Sequence, residues 1–123
     1  MNQKVSKKIL IVDDEEGIRE SLKLVLADHY NLIIADSPEQ ALECLKHDKT
    51  IALAFLDIKM PQINGLDVLK QMKELRKDVK VVMVTGYKSV ETASEAARLG
   101  ADGYIVKPFK VEEILKAVTK LIA

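Results

Sequence analysis

A single cysteine, Cys44, leaves the 123-residue sequence unable to form an internal disulfide, which argues against a disulfide-stapled secreted scaffold. Net charge is absent as well, because 19 Lys and Arg balance 19 Asp and Glu. Proteins that grip nucleic acid or an anionic membrane surface usually carry clustered positive charge, so direct nucleic-acid binding and membrane binding are not expected. No apolar run approaches the roughly 20 residues of a spanning helix. The start, Met1 to Lys8, is polar and has no apolar signal region. Repeats, linkers and low-complexity tracts are missing too. These absences point to a cytoplasmic protein of one domain, with residues 1–7 as a short polar N-terminal extension and 8–123 as the domain itself. What remains is ordinary globular composition, with 48% hydrophobic and 31% charged residues, enough for one real core.

The apolar residues fall into two alternating kinds of segment. Short continuous runs are Ile9-Leu10-Ile11-Val12, Leu32-Ile33-Ile34-Ala35, Ile51 to Leu56, Val81-Val82-Met83-Val84 and Tyr104-Ile105-Val106. Most are rich in Val and Ile and too short for helices, as expected of strands buried on both faces of a parallel sheet. Between them lie amphipathic stretches. Ile18, Leu22, Val25 and Leu26 share one helical face, and Ile114, Leu115, Val118, Leu121 and Ile122 repeat the pattern. Further helices are predicted around Leu66-Leu69-Met72-Leu75, Ala41-Leu42-Leu45 and Val90-Ala93-Ala97. Ser37-Pro38-Glu39-Gln40 reads as a helix start with a capping Ser, Gly100 suits a left-handed helix C-cap, and Pro61 and Gly65 punctuate the loop after the third strand. The expected fold is α/β: (βα)5, doubly wound and flavodoxin-like, with a five-stranded parallel sheet of order 2-1-3-4-5.

Ligands in such sheets bind outside the carboxyl ends of the strands. The first strand ends in Asp13-Asp14-Glu15, the third in Asp57, the fourth in Thr85-Gly86 and the fifth in Lys107-Pro108. Neighbouring strand ends therefore aim carboxylates, a hydroxyl and an ammonium at one crevice. Two carboxylates about 5 Å apart repel by roughly 3 kcal/mol at an effective dielectric of 20, so the acids need a cation among them. Lys107 supplies one charge. A divalent ion supplies more, and a hard, oxygen-only site suits Mg2+. Such a metal would neutralise the oxygens of an incoming phosphoryl group, Asp57 could attack phosphorus and carry an acyl phosphate, and Thr85 and Lys107 could donate to its oxygens.

Asp13-Asp14, Asp57-Ile58-Lys59-Met60-Pro61-Gln62-Ile63-Asn64-Gly65, Thr85-Gly86 and Lys107-Pro108-Phe109 together resemble the receiver domains of two-component response regulators. The likeness runs from Lys8 to Leu121. Each motif alone is weak, but all four at the right strand ends and in the right order are specific. The resemblance implies Asp57 as phosphoryl acceptor, Asp13 and Asp14 as the acidic pair that organises Mg2+, and the backbone carbonyl of Lys59 as a further ligand. It also implies Thr85 as switch hydroxyl, Lys107 as phosphoryl-binding cation, Tyr104 as an aromatic that changes rotamer, and a cis Lys107-Pro108 bond. Implied partners are a histidine kinase or phosphotransfer protein as donor, docking near Gly17-Ile18 and the loop after Pro108, and an unknown output domain or partner protein. The output face would be helix 4, strand 5 and helix 5, which also supports a homodimer on phosphorylation. Lys59 and Tyr87, two residues beyond Asp57 and Thr85, would border the acyl phosphate and slow its hydrolysis.

Other residues take plainer readings. Asp36, before Ser37-Pro38, reads as a helix cap. His29 and His47 lack ligand spacing and read as surface residues, and Cys44 as a small apolar packing residue. The charged run Lys70 to Lys80 reads as a solvated helix face and loop. Three other functions compete with this reading. A haloacid-dehalogenase-type phosphatase needs an Asp-x-Asp motif after the first strand, and the residues there are Asp13-Asp14-Glu15. A flavodoxin needs a hydroxyl- and Gly-rich phosphate loop where this chain has acids. A receiver-like interaction module that is never phosphorylated would be signalled by loss of an acid, the Thr or the Lys, and all are present. The chemistry is self-phosphorylation and self-dephosphorylation, with the product a changed surface rather than a released metabolite, so the protein is expected to be a switch and not an enzyme.

Overall fold

A computed structural model describes residues 5–60, 63–86 and 88–122, with side chains for all of these except 5, 6, 59, 60 and 63. The chain alternates β1 (Val5–Val12), α1 (Glu16–Leu26), β2 (Tyr30–Ala35), α2 (Pro38–His47) and β3 (Ile51–Leu56). After a short ribbon, β4 (Lys59–Met60) with β5 (Ile63–Asn64), come α3 (Gly65–Leu75), β6 (Lys80–Thr85), α4 (Val90–Arg98), β7 (Gly103–Val106) and α5 (Val111–Ile122). The main sheet has five parallel strands in the order β2-β1-β3-β6-β7. Counting only the strands of that sheet, this is the expected 2-1-3-4-5.

Each apolar strand feeds two cores because successive side chains point to opposite faces. Leu10, Val12, Ala54, Leu56, Val81 and Met83 face one side, where Leu45 of α2, Val68, Leu69 and Met72 of α3 and Ala96 of α4 cover them. Ile9, Ile11, Leu53, Phe55, Val82 and Val84 face the other, under Leu22 and Leu26 of α1 and Ile114, Val118 and Ile122 of α5. An extra residue in β3 interrupts the alternation. Lys8 pairs with Ile51 but Ile9 with Leu53, so Ala52 is an extra residue in β3. The extra residue turns Ile51 to the opposite core from Leu53 and Phe55.

The helix ends follow their sequence signals. Ser37 Oγ accepts from the Gln40 N–H at 3.2 Å, and Gln40 Oε1 accepts from the Asp36 N–H at 2.9 Å, a variant of the capping box in which the Gln reaches one residue before the cap. The cap is therefore Ser37, and Asp36 contributes its main chain, in contrast to the cap role expected of it. Gly100 takes φ +106°, as a left-handed C-cap requires. Lys107-Pro108 is cis. His29 and His47 are exposed and Cys44 packs against a core as a partly buried thiol, as expected.

Three further features depart from the sequence reading. Strand β1 begins at Val5, ahead of the apolar run Ile9 to Val12 that marks it in the sequence, because the pairing with β2 continues past a register shift between Val5 and Lys8. The ribbon of β4 and β5 was not predicted, since two-residue strands carry no periodicity. The charged run from Lys70 to Lys80 is not simply a solvated face. Arg76 is 6% exposed and donates to the Asp48 carbonyl at 3.1 Å, the Ile51 carbonyl at 2.9 Å and the Asp78 carboxylate. Lys73 Nζ donates to the Val79 carbonyl at 2.6 Å and to Asp102 at 2.8 Å. Both cations finish main-chain acceptors at loop ends, which buried carbonyls require.

Candidate functional site

The parallel register delivers four strand ends to one rim. Val12 pairs with Leu56, so the residues that follow, Asp13 and Asp57, emerge side by side, and the Asp57 N–H donates to the Val12 carbonyl at 3.2 Å. Leu56 pairs with Met83, which places Thr85 two residues further along the neighbouring strand. Thr85 pairs with Val106, and the Lys107 N–H donates to the Thr85 carbonyl at 2.8 Å. Asp13, Asp57, Thr85 and Lys107 thus share one end of the sheet.

Burial separates their characters. Asp13 and Asp57 are each 3% exposed and Thr85 is fully buried, while Asp14 is exposed. The carboxylates of Asp13, Asp14 and Asp57 each offer an oxygen within 4.8 Å of the others. Three oxygen anions this close fit a hard cation such as Mg2+, and among the described residues the cluster offers no softer ligand. The main chain of Lys59, in β4, lies two residues beyond Asp57; its side chain falls outside the described residues, as does the whole of Tyr87.

Lys107 lies among the acids. Its Nζ is 2.7 Å from Glu15 Oε1, 3.0 Å from Asp57 Oδ2 and 3.1 Å from Asp13 Oδ2. Burial alone would depress its ammonium, yet hydrogen bonds to Glu15 and Asp57 and the Asp13 charge hold it well above the ordinary lysine value. The Asp13 carboxyl is pushed up by burial, a rise that the Glu15 N–H and Lys107 oppose and the Asp57 charge assists. The second Asp13 oxygen accepts from the Glu15 N–H at 2.9 Å, and Arg19 Nη1 donates to the Asp13 carbonyl at 2.9 Å. Asp13 therefore has a structural duty at the start of α1 and still presents an oxygen to the crevice.

Tyr104 is partly buried in β7, and its hydroxyl is held up in pKa by burial and by the Asp57 charge, so it stands within electrostatic reach of the acid. Ile18 is half-buried against the core under α1. Two contributors escaped the sequence. Glu15 was seen only as the third letter of an acidic triplet. Gly65 was read as punctuation, but a Cβ there would meet the Asp57 carbonyl oxygen at 2.2 Å. Its N–H donates to the Ile58 carbonyl at 2.7 Å, so the start of α3 closes directly over the Asp57 backbone.

Comparison with known proteins agrees with this geometry. Residues 9–119 match the family model of the response regulator receiver domain. Sporulation initiation phosphotransferase F of Bacillus subtilis is 35% identical over 119 residues, covering 96% of this chain and 95% of that protein. The response regulator MprA of Mycobacterium ulcerans is 35% identical over 119 residues, and there the chain spans only 51% of the relative's length. Among solved structures, the CheY-like receiver domain protein of Methanospirillum hungatei superposes with a TM-score of 0.86 at 36% identity, covering 93% of this chain and 91% of that one. The chain belongs to the response regulator receiver domain family, a signalling family rather than a classical enzyme family.

Proposed function

We propose that this receiver domain is a phosphorylation switch whose acceptor is Asp57. The observation that carries the reading is the placement of one nearly buried carboxylate, Asp57, 3.0 Å from Lys107 Nζ and within 4.8 Å of the oxygens of two further acids. An Asp57 oxygen attacks the phosphorus of a phosphohistidine on a histidine kinase or phosphotransfer protein. The P–N bond breaks as the P–O bond forms, and the imidazole leaves as the neutral ring after taking a proton. Asp13, Asp14 and Asp57, with the Lys59 carbonyl, would hold Mg2+, which when bound supplies positive charge to the phosphoryl oxygens. The Lys107 ammonium and the Thr85 hydroxyl donate hydrogen bonds to the transferred group. The name of the Bacillus subtilis relative, a phosphotransferase, supports phosphoryl transfer as the chemistry.

The switch is a local electrostatic event that biases a packed element. Hydrogen bonds to charged groups are worth roughly 1.5–3 kcal/mol each. Moving a population from 1:99 to 99:1 takes about 5.5 kcal/mol. Thr85 and Lys107 supply a large share of that when their contacts form only in the active state. The element they bias is α4 with Tyr104. Among the residues of α4 only Ala96 is buried, so shifting this helix disturbs little apolar area. The face of α4, β7 and α5 then meets an output domain or partner, or a second copy of the chain, in the cytoplasm. The test is amide NMR of the labelled protein with acetyl phosphate and Mg2+. Shifts in Thr85, Tyr104 and α4 that are absent from Asp57→Asn support the switch; shifts confined to the acidic rim leave an interaction module that phosphorylation does not control.

A further inference from the structure

The three protons of an ammonium allow three strong hydrogen bonds, and the Lys107 Nζ has three carboxylates in range: Glu15 at 2.7 Å, Asp57 at 3.0 Å and Asp13 at 3.1 Å. Two of these, Asp13 and Asp57, belong to the cluster of acids that fits a metal; Glu15 does not. The lysine and the metal therefore draw on the same two carboxylates, and Glu15 is the partner they do not share.

The local structure of Glu15 is unusual for its place. It is the N-cap residue of α1, where a side chain normally accepts from its own helix, yet it makes no such bond. It reaches instead across 92 residues of sequence to Lys107. The side chain is 58% exposed, against 3% for Asp57, so it sits on a long arm at the solvent edge while its two rivals are fixed in the floor. An ammonium left among the buried acids opposes a second cation there by like-charge repulsion. Drawn toward the rim by Glu15, it opposes that cation less.

We infer that Glu15 is a positioning residue that keeps a partner for the Lys107 ammonium at the rim when Asp13 and Asp57 take Mg2+, so that the lysine can give up those two acids and stay at hand for the phosphoryl group. This rests on the proposed Mg2+ site.

The test is a double-mutant cycle on the unphosphorylated protein, with Mg2+ affinity measured by calorimetric titration with magnesium chloride and no turnover involved. Glu15→Gln should weaken Mg2+ binding by about fivefold in the wild-type background, a coupling typical of groups in contact. Lys107→Met should bind Mg2+ more tightly than wild type, and adding Glu15→Gln to it should change the affinity by less than about twofold. If Lys107→Met does not fold, Lys107→Gln serves as the background. Equal weakening by Glu15→Gln in both backgrounds shows that Glu15 acts only as a nearby negative charge, and overturns this inference alone. Absence of any Mg2+ binding by the wild-type protein overturns the metal-site reading on which it stands.

Discussion

Gly65 and Asp57 are pressed together main chain to main chain, with the Asp57 carbonyl oxygen 2.2 Å from where a Cβ on residue 65 would lie. Backbone cannot retreat as a flexible side chain can. Gly65→Ala is therefore expected to cost about 1–3 kcal/mol, the usual range for overpacking. It should also move the Asp57 loop and slow phosphoryl labelling. Urea unfolding and labelling with acetyl phosphate measure the two effects separately. A variant of unchanged stability and unchanged labelling rate contradicts the close approach.

Arg76 should be a structural residue despite lying in a run of charge. Its guanidinium donates to the carbonyls of Asp48 and Ile51 at 3.1 Å and 2.9 Å, at the start of β3. Arg76→Ala removes the donor to both carbonyls, of which that of Asp48 keeps the Ile51 N–H at 3.4 Å, and should destabilise the fold by about 1–3 kcal/mol, the cost of a buried polar group left unpaired. Neighbouring Lys77→Ala should change stability by under about 0.5 kcal/mol, as surface substitutions do. Denaturation midpoints of the two variants decide it.

Stability should fall on the acid side through Asp48. The Lys8 ammonium, then the hydroxyl and N–H of Thr50, hold its carboxyl at about 2, below the ordinary value of 3.8. A group depressed in the folded state stabilises fully above its unfolded pKa and loses that contribution as pH falls through the folded one. The Asp48 contribution is thus intact above pH 4 and fades toward pH 2. Asp48→Asn should flatten the stability profile in that window. Lys107 works in the opposite direction. Its raised pKa contributes stability at neutral pH that is lost only as the solution becomes strongly alkaline.

Thr85→Ala should separate phosphorylation from switching. Asp57, Lys107 and the acids remain, so labelling with acetyl phosphate is expected to persist. The active population should drop because one hydrogen bond to a charged group, worth roughly 1.5–3 kcal/mol, is gone. Amide shifts of α4 on phosphorylation should shrink accordingly. Full-size shifts contradict a switching role for the hydroxyl.

The lifetime of the acyl phosphate is expected to depend on Lys59 and Tyr87, two residues past Asp57 and Thr85 in sequence. Lys59→Ala and Tyr87→Ala should each hasten hydrolysis by giving water access to phosphorus. Decay of the phosphorylated protein, followed by mass, tests this, and unchanged decay in both variants removes the idea.

The sheet and the rim were legible in the sequence for a local reason. A strand buried on both faces must be continuously apolar, and the first polar residues after Val12, Leu56, Val84 and Val106 are then forced to the rim. What stayed hidden depends on partners distant in sequence. Glu15 meets Lys107 and Arg76 meets Ile51 only once the sheet is assembled. Ala52 as an extra strand residue is invisible because Ile51 to Leu56 is apolar on both parities. Gly65 was legible as a glycine but not as a contact, since a turn and a close approach ask for the same residue.

The most direct measurement is the intact mass of the protein under acidic conditions after incubation with acetyl phosphate and Mg2+, beside Asp57→Asn and a metal-free sample. The account predicts one phosphoryl adduct on the wild-type chain and none on either control. An adduct that persists in Asp57→Asn, or no adduct on the wild type with either acetyl phosphate or a phosphohistidine donor, contradicts Asp57 as the acceptor.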